Sequence, residues 1–262
     1  MIPIKPKAYD VLGKIALVRF PDDFNSKEKM KFANDLLKKH KSIETVLEKE
    51  GKVKGRLRKI KTNYLAGVKT KEVLYKENDC LFRFNVDGTY FSPRLSNERK
   101  EISQKVKKNS EVLVMFSGVN PFGIVIAKNS KANKIYSVEL NREANKYAKL
   151  NSELNKVKDR VELIQGDVKK FASNIGKKFD VIVMARPQLK DSFLKDAFKV
   201  SKKGTRIYYY DFCKNDEIDL ILDKIKLEAK KSKKKIKIIR KKIAGEIAPY
   251  KFRMRFDMVV LN

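Results

Sequence analysis

The segment EVLVMFSGVNPFG, residues Glu111 to Gly123, decides the fold of this chain. Its residues from Val112 to Phe116 are all apolar, which predicts a buried strand. A tight turn follows, in which Gly118 lets the backbone reverse sharply, and Pro121 takes the first position of the next helix. Such a unit presents a helix N-terminus at the carboxyl end of its strand, which is where α/β sheets bind nucleotides.

Each of the next three predicted strands also ends in a polar or turn residue. Glu139 follows the second strand about 20 residues after Gly118, where an acid accepts hydrogen bonds from ribose hydroxyls. Asp167 follows the third strand, and its carboxylate is expected near an adenine amino group. The three strands are Lys134 to Val138, Val161 to Gln165 and Phe179 to Met184, and the last leads into Ala185, Arg186 and Pro187. This order is typical of a Rossmann-like methyltransferase that binds S-adenosylmethionine, and an α/β domain with charged loop ends is the alternative.

The composition limits the classes of function. The chain has 62 Lys and Arg against 32 Asp and Glu, and the formal charge of +30 favours a polyanionic partner over lysines that merely cover solvated helices. No apolar run reaches transmembrane length and the N-terminus lacks the apolar core of a signal peptide, so we expect a cytoplasmic protein without a membrane partner. Cys80, Cys213 and His40 are too few for a metal site or a disulfide framework, and we expect structural roles for them.

The pattern predicts two domains, a small α+β domain at residues 1–90 and a Rossmann-like catalytic domain at residues 91–262. In the first, Asn25 and Glu28 form a capping pair that starts a helix, and Ile43, Val46 and Leu47 suggest a second, short helical stretch. The predicted strands of this domain are Lys14 to Phe20, Glu72 to Lys76 and Leu81 to Val86.

The C-terminal part is expected to complete a seven-stranded sheet. A helix is predicted over Gln188 to Ser201, stopped by Lys203 and Gly204, and Asp216 to Lys230 forms a second one. The remaining strands are Thr205 to Tyr210, Lys235 to Ile243 and Phe252 to Leu261, of which the last two are expected to join the sheet as an antiparallel pair.

Two motifs carry a resemblance to a known family. YFSPRLSNERKEI (Tyr90 to Ile102) and MFSGVNPFGI (Met115 to Ile124) resemble the archaeal and eukaryotic tRNA guanine-37 N1-methyltransferases, whose pattern is YFSPRL..ER and then DMFAGVGPF. The resemblance extends from Ala8 to the terminal APYKFRMRFDMVV and so covers nearly the whole chain. It implies a monomer that binds the anticodon arm of tRNA and lacks the N-terminal, elbow-binding domain of larger archaeal members. The cofactor contacts that it implies are Phe116, Gly118, Val119, Glu139, Asp167 and Pro187.

The implied chemistry needs a base and a positive group. N1 of guanine carries a proton at neutral pH, so a base must remove it while a donor stabilises the charge that builds on O6. The resemblance assigns the base to Glu98 and places Arg58 near it, and an ion pair that fixes the interdomain joint is the alternative for both. Arg94 and Arg99 are candidates for holding RNA phosphate or the joint.

Three positions depart from the family pattern. Val114 stands where the family has Asp, Asn120 stands at its second turn glycine, and Ala185 replaces the Asn that helps to hold guanine. Asn tolerates a positive φ, so the turn is expected to survive. Arg186 is expected to supply positive charge near O6 in compensation.

The sequence therefore predicts an S-adenosylmethionine-dependent methyltransferase acting on N1 of guanine at position 37 of tRNA. One alternative is the sister reaction of wybutosine synthesis, transfer of an aminocarboxypropyl group from the same cofactor. The other is a non-catalytic tRNA-binding protein with a degenerate site, which the three departures favour.

Overall fold

A computed structural model describes residues 9–55, 57, 59–185, 189, 191–248 and 250–262. Its first elements are β1 (Tyr9–Leu12), β2 (Ile15–Val18), α1 (Ser26–Lys39), β3 (Thr45–Lys54) and β4 (Lys59–Gly67). The four strands form one sheet in the order β1-β2-β3-β4, and α1 packs on it. The predicted capping pair starts α1, because Asn25 Oδ1 accepts from the Glu28 amide at 3.1 Å and Glu28 Oε2 accepts from the Asn25 amide at 2.9 Å.

The second helical stretch predicted at Ile43, Val46 and Leu47 is wrong, because Val46 and Leu47 lie in strand β3. Val46 packs in the core beneath α1, whereas Leu47 points to the opposite face and joins the core shared with the rest of the molecule. A strand buried on both faces has adjacent apolar residues, and together with Ile43 that spacing imitates one face of a helix.

The following elements form a two-stranded hairpin and a seven-stranded sheet with helices on both faces. They are β5 (Glu72–Glu77), β6 (Cys80–Asn85), α2 (Ser96–Lys105), β7 (Glu111–Met115), α3 (Pro121–Asn129), β8 (Lys134–Glu139), α4 (Arg142–Leu154), β9 (Val161–Gln165), α5 (Val168–Asn174), β10 (Phe179–Met184), α6 (Leu194–Lys199), β11 (Ser201–Lys214), α7 (Ile218–Lys231), β12 (Ile236–Ala248) and β13 (Lys251–Val260). The order is β12-β13-β11-β10-β7-β8-β9, with β5 and β6 as a separate hairpin. Strands β7 to β11 are parallel, β13 is antiparallel to β11, and β12 is antiparallel to β13. The predicted sheet and its antiparallel terminal pair are confirmed.

Strand β7 lies at the centre of this sheet and is buried on both faces. Val112 and Val114 pack in the core that contains the β5–β6 hairpin, while Leu113 and Met115 pack in the core on the other face. This is why its sequence is apolar throughout rather than alternating.

The β5–β6 hairpin is attached to α4 by two asparagines one helical turn apart. Asn151 Oδ1 accepts from the Arg83 amide at 2.7 Å and its Nδ2 donates to the Arg83 carbonyl at 3.0 Å. Asn155 makes the same pair of bonds with Leu81, at 2.8 and 2.7 Å. These side chains satisfy alternate backbone groups of β6 on its free edge.

The predicted domain boundary at residue 90 stays a prediction.

The segment before β11 differs from its prediction. Helix α6 covers only Leu194–Lys199, because Phe193 takes a left-handed conformation with φ of 56° and the helix starts after it. Lys203 and Gly204 do not stop a helix but lie within β11, which is longer than the predicted strand. Thr205 Oγ1 donates to the Phe179 carbonyl at 2.6 Å and so ties this part of β11 to β10.

None of the helices in the described part of the chain combines the length and the apolar character that crossing a membrane requires.

Candidate active site

The turn after β7 has the shape predicted from its sequence. Phe116, Gly118 and Asn120 all have left-handed φ values, 62°, 59° and 64°. The Asn120 amide donates to the Ser117 carbonyl at 2.9 Å, and α3 begins directly afterwards at Pro121. Asn therefore takes the left-handed conformation that a glycine would otherwise supply, and the turn is preserved.

Glu139 at the end of β8 is bound to this turn. Its Oε2 accepts from the Gly118 amide and its Oε1 from the Asn141 amide, both at 2.7 Å. Burial raises the pKa of this carboxyl, and the backbone donors oppose that effect. An ionised Glu139 still has lone pairs for two ligand hydroxyls.

The turn, Glu139 and Asp167 line one pocket with an empty volume of about 1040 Å³, part of it open to solvent. Asp167 Oδ1 caps α5 by accepting from the Lys169 amide at 2.8 Å. Between the two acids the wall is apolar and aromatic, and Phe116 meets Phe193 edge-on with ring centroids 4.9 Å apart. The pocket is also lined by Tyr90, Phe91, Ser92, Ala185, Tyr210 and Arg253.

These residues fit S-adenosylmethionine. An acid for ribose hydroxyls, a second acid and flat apolar walls for adenine, and a glycine turn at a helix N-terminus are present in one pocket. Phe116, Gly118, Glu139 and Asp167 line it as predicted, whereas Val119 is fully buried and packs in the core beneath the turn.

Glu98, the predicted base, lies behind the pocket wall. It is 2% exposed, and Tyr210, which lines the pocket, donates its hydroxyl to Glu98 Oε2 at 2.9 Å. Arg255 Nη1 also donates to Oε2, at 2.5 Å, and Lys242 Nζ donates to Oε1 at 2.7 Å. Burial and the Glu98 charge raise the pKa of Tyr210 well above its ordinary value, so the hydroxyl stays protonated and donates.

Arg255 connects Glu98 to two further acids. It donates to Glu101 Oε1 at 2.6 Å and to Asp257 Oδ1 at 2.6 Å, and its side chain is 0% exposed. The Arg255 guanidinium holds the pKa of Glu101 well below its usual range. The network joins α2 to the terminal strands, so it provides the ion pair at the joint that the sequence offered as the alternative role of Glu98.

Arg94 and Arg99 have different surroundings. Arg99 is 1% exposed and donates to Glu77 Oε2 at 2.7 Å and to the Ser92 carbonyl at 2.9 Å. Arg94 is largely exposed and reaches Asp10 of β1 at 3.2 Å. Arg99 therefore pairs with the β5–β6 hairpin and Arg94 with the N-terminal sheet, and contact of either arginine with RNA stays a prediction.

Two parts of the sequence match known domain families. Residues 73–239 match the TRM5/TYW2 methyltransferase domain, and residues 3–70 match the TYW2 N-terminal domain. The chain belongs to the TRM5/TYW2 methyltransferase domain family. The membership confirms the predicted resemblance, the Rossmann-like catalytic domain preceded by a small domain, and S-adenosylmethionine as the cofactor of this family.

Relatives of the chain are named as methyltransferases of tRNA position 37, with guanine or 4-demethylwyosine as the acceptor. The chain is 32% identical to the tRNA (guanine(37)-N(1))/4-demethylwyosine(37)-methyltransferase Taw22 of Nanoarchaeum equitans, over 97% of this chain and 100% of the relative. It is 30% identical to the tRNA (guanine(37)-N(1))-methyltransferase Trm5b of Pyrococcus abyssi, over 97% of this chain and 75% of the relative.

Solved structures show the same fold. The crystal structure of Trm5b from Pyrococcus abyssi matches with a TM-score of 0.88 and 29% identity, covering 98% of this chain and 76% of that one. The structure of aTrm5 in complex with tRNALeu matches with a TM-score of 0.84 and 28% identity, covering 98% and 72%.

Near two of the three positions that depart from the guanine-37 methyltransferase pattern, Val114 and Asn120, buried side-chain polar atoms lie beneath the turn. Val114 is fully buried and pairs in register with Ser137 of β8. Among the described residues, the Ser137 hydroxyl and both polar atoms of the Asn120 side chain have no hydrogen-bond partner. Ala185 lines the pocket with a methyl group only. Arg58, Arg186 and Pro187 lie outside the described residues, and the roles assigned to them stay predictions.

Sequence reasoning missed Tyr210, Lys242, Arg253 and Arg255. A signal was present in β13, where Arg253, Arg255 and Asp257 alternate with Met254 and Phe256. Charged residues at every second position of a strand lie on one face of the sheet, and in β13, which begins beside the pocket, this pattern indicates a buried polar face rather than an exposed edge strand.

Proposed function

We propose that this chain transfers a methyl group from S-adenosylmethionine to N1 of guanine at position 37 of a tRNA. The observation that carries the proposal is the position of the segment from Tyr90 to Arg99. Tyr90, Phe91 and Ser92 of this segment line the cofactor pocket together with Gly118 and Glu139, and its Glu98 contacts the pocket-lining Tyr210. The relatives named as guanine-37 methyltransferases, at about 30% identity over 97% of the chain, support this acceptor.

The reaction divides between cofactor and chain. When bound, S-adenosylmethionine supplies an electrophilic methyl group on a sulfonium, and a thioether remains after transfer. The bond formed is N1–C, the bond broken is C–S, and the N1 proton passes to a base. We assign the base to Glu98, which reaches the pocket through the Tyr210 hydroxyl, and Arg255 with Lys242 orients its carboxylate.

A tRNA partner follows from the same proposal. The target base is stacked in an anticodon loop, so it has to be extruded before its N1 can enter a pocket. A chain with a charge of +30 can hold the loop phosphates while this occurs. We propose the anticodon arm as the contact, with the chain acting as a monomer in the cytoplasm.

Aminocarboxypropyl transfer is the second candidate. The match of residues 3–70 to the TYW2 N-terminal domain favours it, and so does the absence of a side-chain amide at Ala185. It uses the same pocket but breaks a different C–S bond.

Two labelled forms of the cofactor separate the candidates. A tRNA with guanine at position 37 and a tRNA with 4-demethylwyosine there are each incubated with S-adenosylmethionine labelled either in its methyl group or in its carboxyl carbon. We expect only the methyl label to enter the RNA. Incorporation of the carboxyl label would establish aminocarboxypropyl transfer instead, and binding of the tRNAs without either label would indicate a non-catalytic tRNA-binding protein.

A further inference from the structure

Arg253 lies between two cavities. It lines the cofactor pocket, and it also lines a second cavity of about 1020 Å³ between the N-terminal sheet and the terminal strands. The two cavities share Tyr90, Phe91 and Ser92 as their common wall. A group bound in the second cavity therefore approaches the cofactor past Arg253.

Arg253 is buried, and its guanidinium pairs with no carboxylate among the residues that the structure describes. It is 8% exposed, and within the described part of the chain its only partners are the Tyr90 hydroxyl, 3.3 Å from Nη2, and the face of Phe212, 5.1 Å from Cζ. Arg255, two residues further along the same strand, binds Glu98, Glu101 and Asp257. Buried Arg99 likewise has Glu77.

A buried cation without a counter-charge is costly to a folded protein. Its cost is offset when a ligand supplies the missing acceptor, so such a group is typical of a binding site. The planar fork of arginine suits an acceptor with two adjacent lone-pair atoms, and on guanine these are O6 and N7. A guanidinium at that edge leaves N1 free and lies where charge builds on O6.

The second cavity suits a nucleotide better than a free anion. Tyr90 and Phe91 bring aromatic rings to the lining, and Arg19, Lys49 and Arg94 bring cations, beside one exposed acid, Glu246. Asp10 is already paired with Lys49 and Arg94. A nucleotide places an aromatic base on the rings and a phosphate near the cations.

We propose that Arg253 binds the O6 and N7 edge of the extruded guanine, which enters from the second cavity. This inference rests on the proposed function and deepens it, because it names the residue that distinguishes guanine from purines lacking O6. Arg253 then supplies a guanine-specific contact in a pocket where Ala185 has no polar side chain.

The test compares two anticodon-stem hairpins that differ only at position 37, one with guanine and one with 2-aminopurine, which lacks O6. Dissociation constants are measured for wild type, Arg253→Gln and Arg253→Lys in the presence of S-adenosylhomocysteine. We expect wild type to prefer guanine by about tenfold or more, as a bidentate arginine contact does. The preference falls to about twofold or less in Arg253→Gln, and Arg253→Lys keeps only part of it because an ammonium lacks the fork.

Lys237→Gln is the matched control, since it removes one exposed positive charge from β12 and should leave the preference unchanged. Unaltered S-adenosylhomocysteine affinity in Arg253→Gln shows that the variant is folded. A guanine preference that persists in Arg253→Gln would overturn the inference, and so would a loss of S-adenosylhomocysteine affinity alone, which would assign Arg253 to the cofactor carboxylate. Failure of the wild type to bind either hairpin would instead contradict the proposed function.

Discussion

We propose that cofactor binding depends most on Glu139. Its carboxylate accepts two backbone hydrogen bonds from the turn and the following helix, and its free lone pairs face the pocket. Glu139 and Gly118 could be predicted from sequence because a turn and the acid that follows the next strand are local features. The partners of Glu98 could not, since Arg255 is 157 residues away and only the folded sheet brings them together.

Replacing Glu139 with Gln should weaken S-adenosylmethionine binding by about tenfold or more, because hydrogen bonds to a charged acceptor are the stronger kind. Burial raises the pKa of Glu139, so its carboxylate in the cofactor-free protein becomes protonated before an ordinary glutamate does as the pH is lowered. The affinity of wild type for S-adenosylmethionine should therefore decrease as the pH is lowered, whereas the affinity of Glu139→Gln should not change. The same raised pKa means that protonation of Glu139 favours the folded state without cofactor. Calorimetry at several pH values checks this, with Glu143→Gln as a nearby control that does not line the pocket; equal affinities of wild type and Glu139→Gln would contradict it.

The two cysteines should be inert in the folded protein. Both are buried, and burial raises the pKa of Cys80 and of Cys213 to about 11. The thiolate is the reactive form, so neither should react with Ellman's reagent at pH 8 until denaturant is added. Rapid reaction of either thiol under native conditions would refute the structural role assigned to both.

The turn between β7 and α3 is packed as one unit. A Cβ at Gly123 would lie 2.2 Å from Asn120 Oδ1 and 2.7 Å from Ser137 Oγ, so these positions depend on one another. The sequence predicted the conformation of Asn120 but not this dependence, because the space under the turn is set by β8. Most elements could be predicted from periodicity alone, whereas β3 could not, since its two faces pack in different cores.

Gly123→Ala should therefore destabilise the protein by about 1–3 kcal/mol, the usual cost of overpacking a core. In Asn120→Gly/Gly123→Ala the amide is absent and the Ser137 contact remains, so Gly123→Ala should cost about half as much or less in the Asn120→Gly background as in wild type. Urea denaturation of wild type, both single variants and the double variant measures the effect. An equal cost of Gly123→Ala in the two backgrounds would show that Asn120 does not limit the space at Gly123.

At the scale of the whole molecule, the β5–β6 hairpin connects the two sheets. It is bonded to α4 through Asn151 and Asn155, and its Glu77 pairs with Arg99 of α2. Sequence periodicity placed the hairpin in the first domain because its alternating pattern differs from the buried parallel strands. The contacts that attach the hairpin to α2 and α4 join residues far apart in the sequence. We propose that the catalytic domain begins before the β5–β6 hairpin.

A fragment of residues 71–262 should fold and bind S-adenosylmethionine, although less stably than the full chain because Leu17 and Leu47 pack in the same core as the hairpin. A fragment of residues 91–262 should not fold cooperatively, since it leaves buried Arg99 without Glu77 and two asparagines without β6. Circular dichroism melts and calorimetry with the cofactor compare them. A folded, cofactor-binding 91–262 fragment would instead support the boundary at residue 90.

The central claim is tested most directly by nucleoside mass spectrometry of unmodified tRNA transcripts with guanine or adenine at position 37, after incubation with S-adenosylmethionine. Glu98→Gln is run in parallel, with Glu143→Gln as the control, because Glu143 neither lines the pocket nor contacts Tyr210, Arg255 or Lys242. We predict N1-methylguanosine in the guanine transcript only, its near-complete loss in Glu98→Gln, and its retention in Glu143→Gln. No added mass on either transcript, despite RNA binding, would contradict the account and make Val114, Asn120 and Ala185 the marks of a different substrate or of a binding protein.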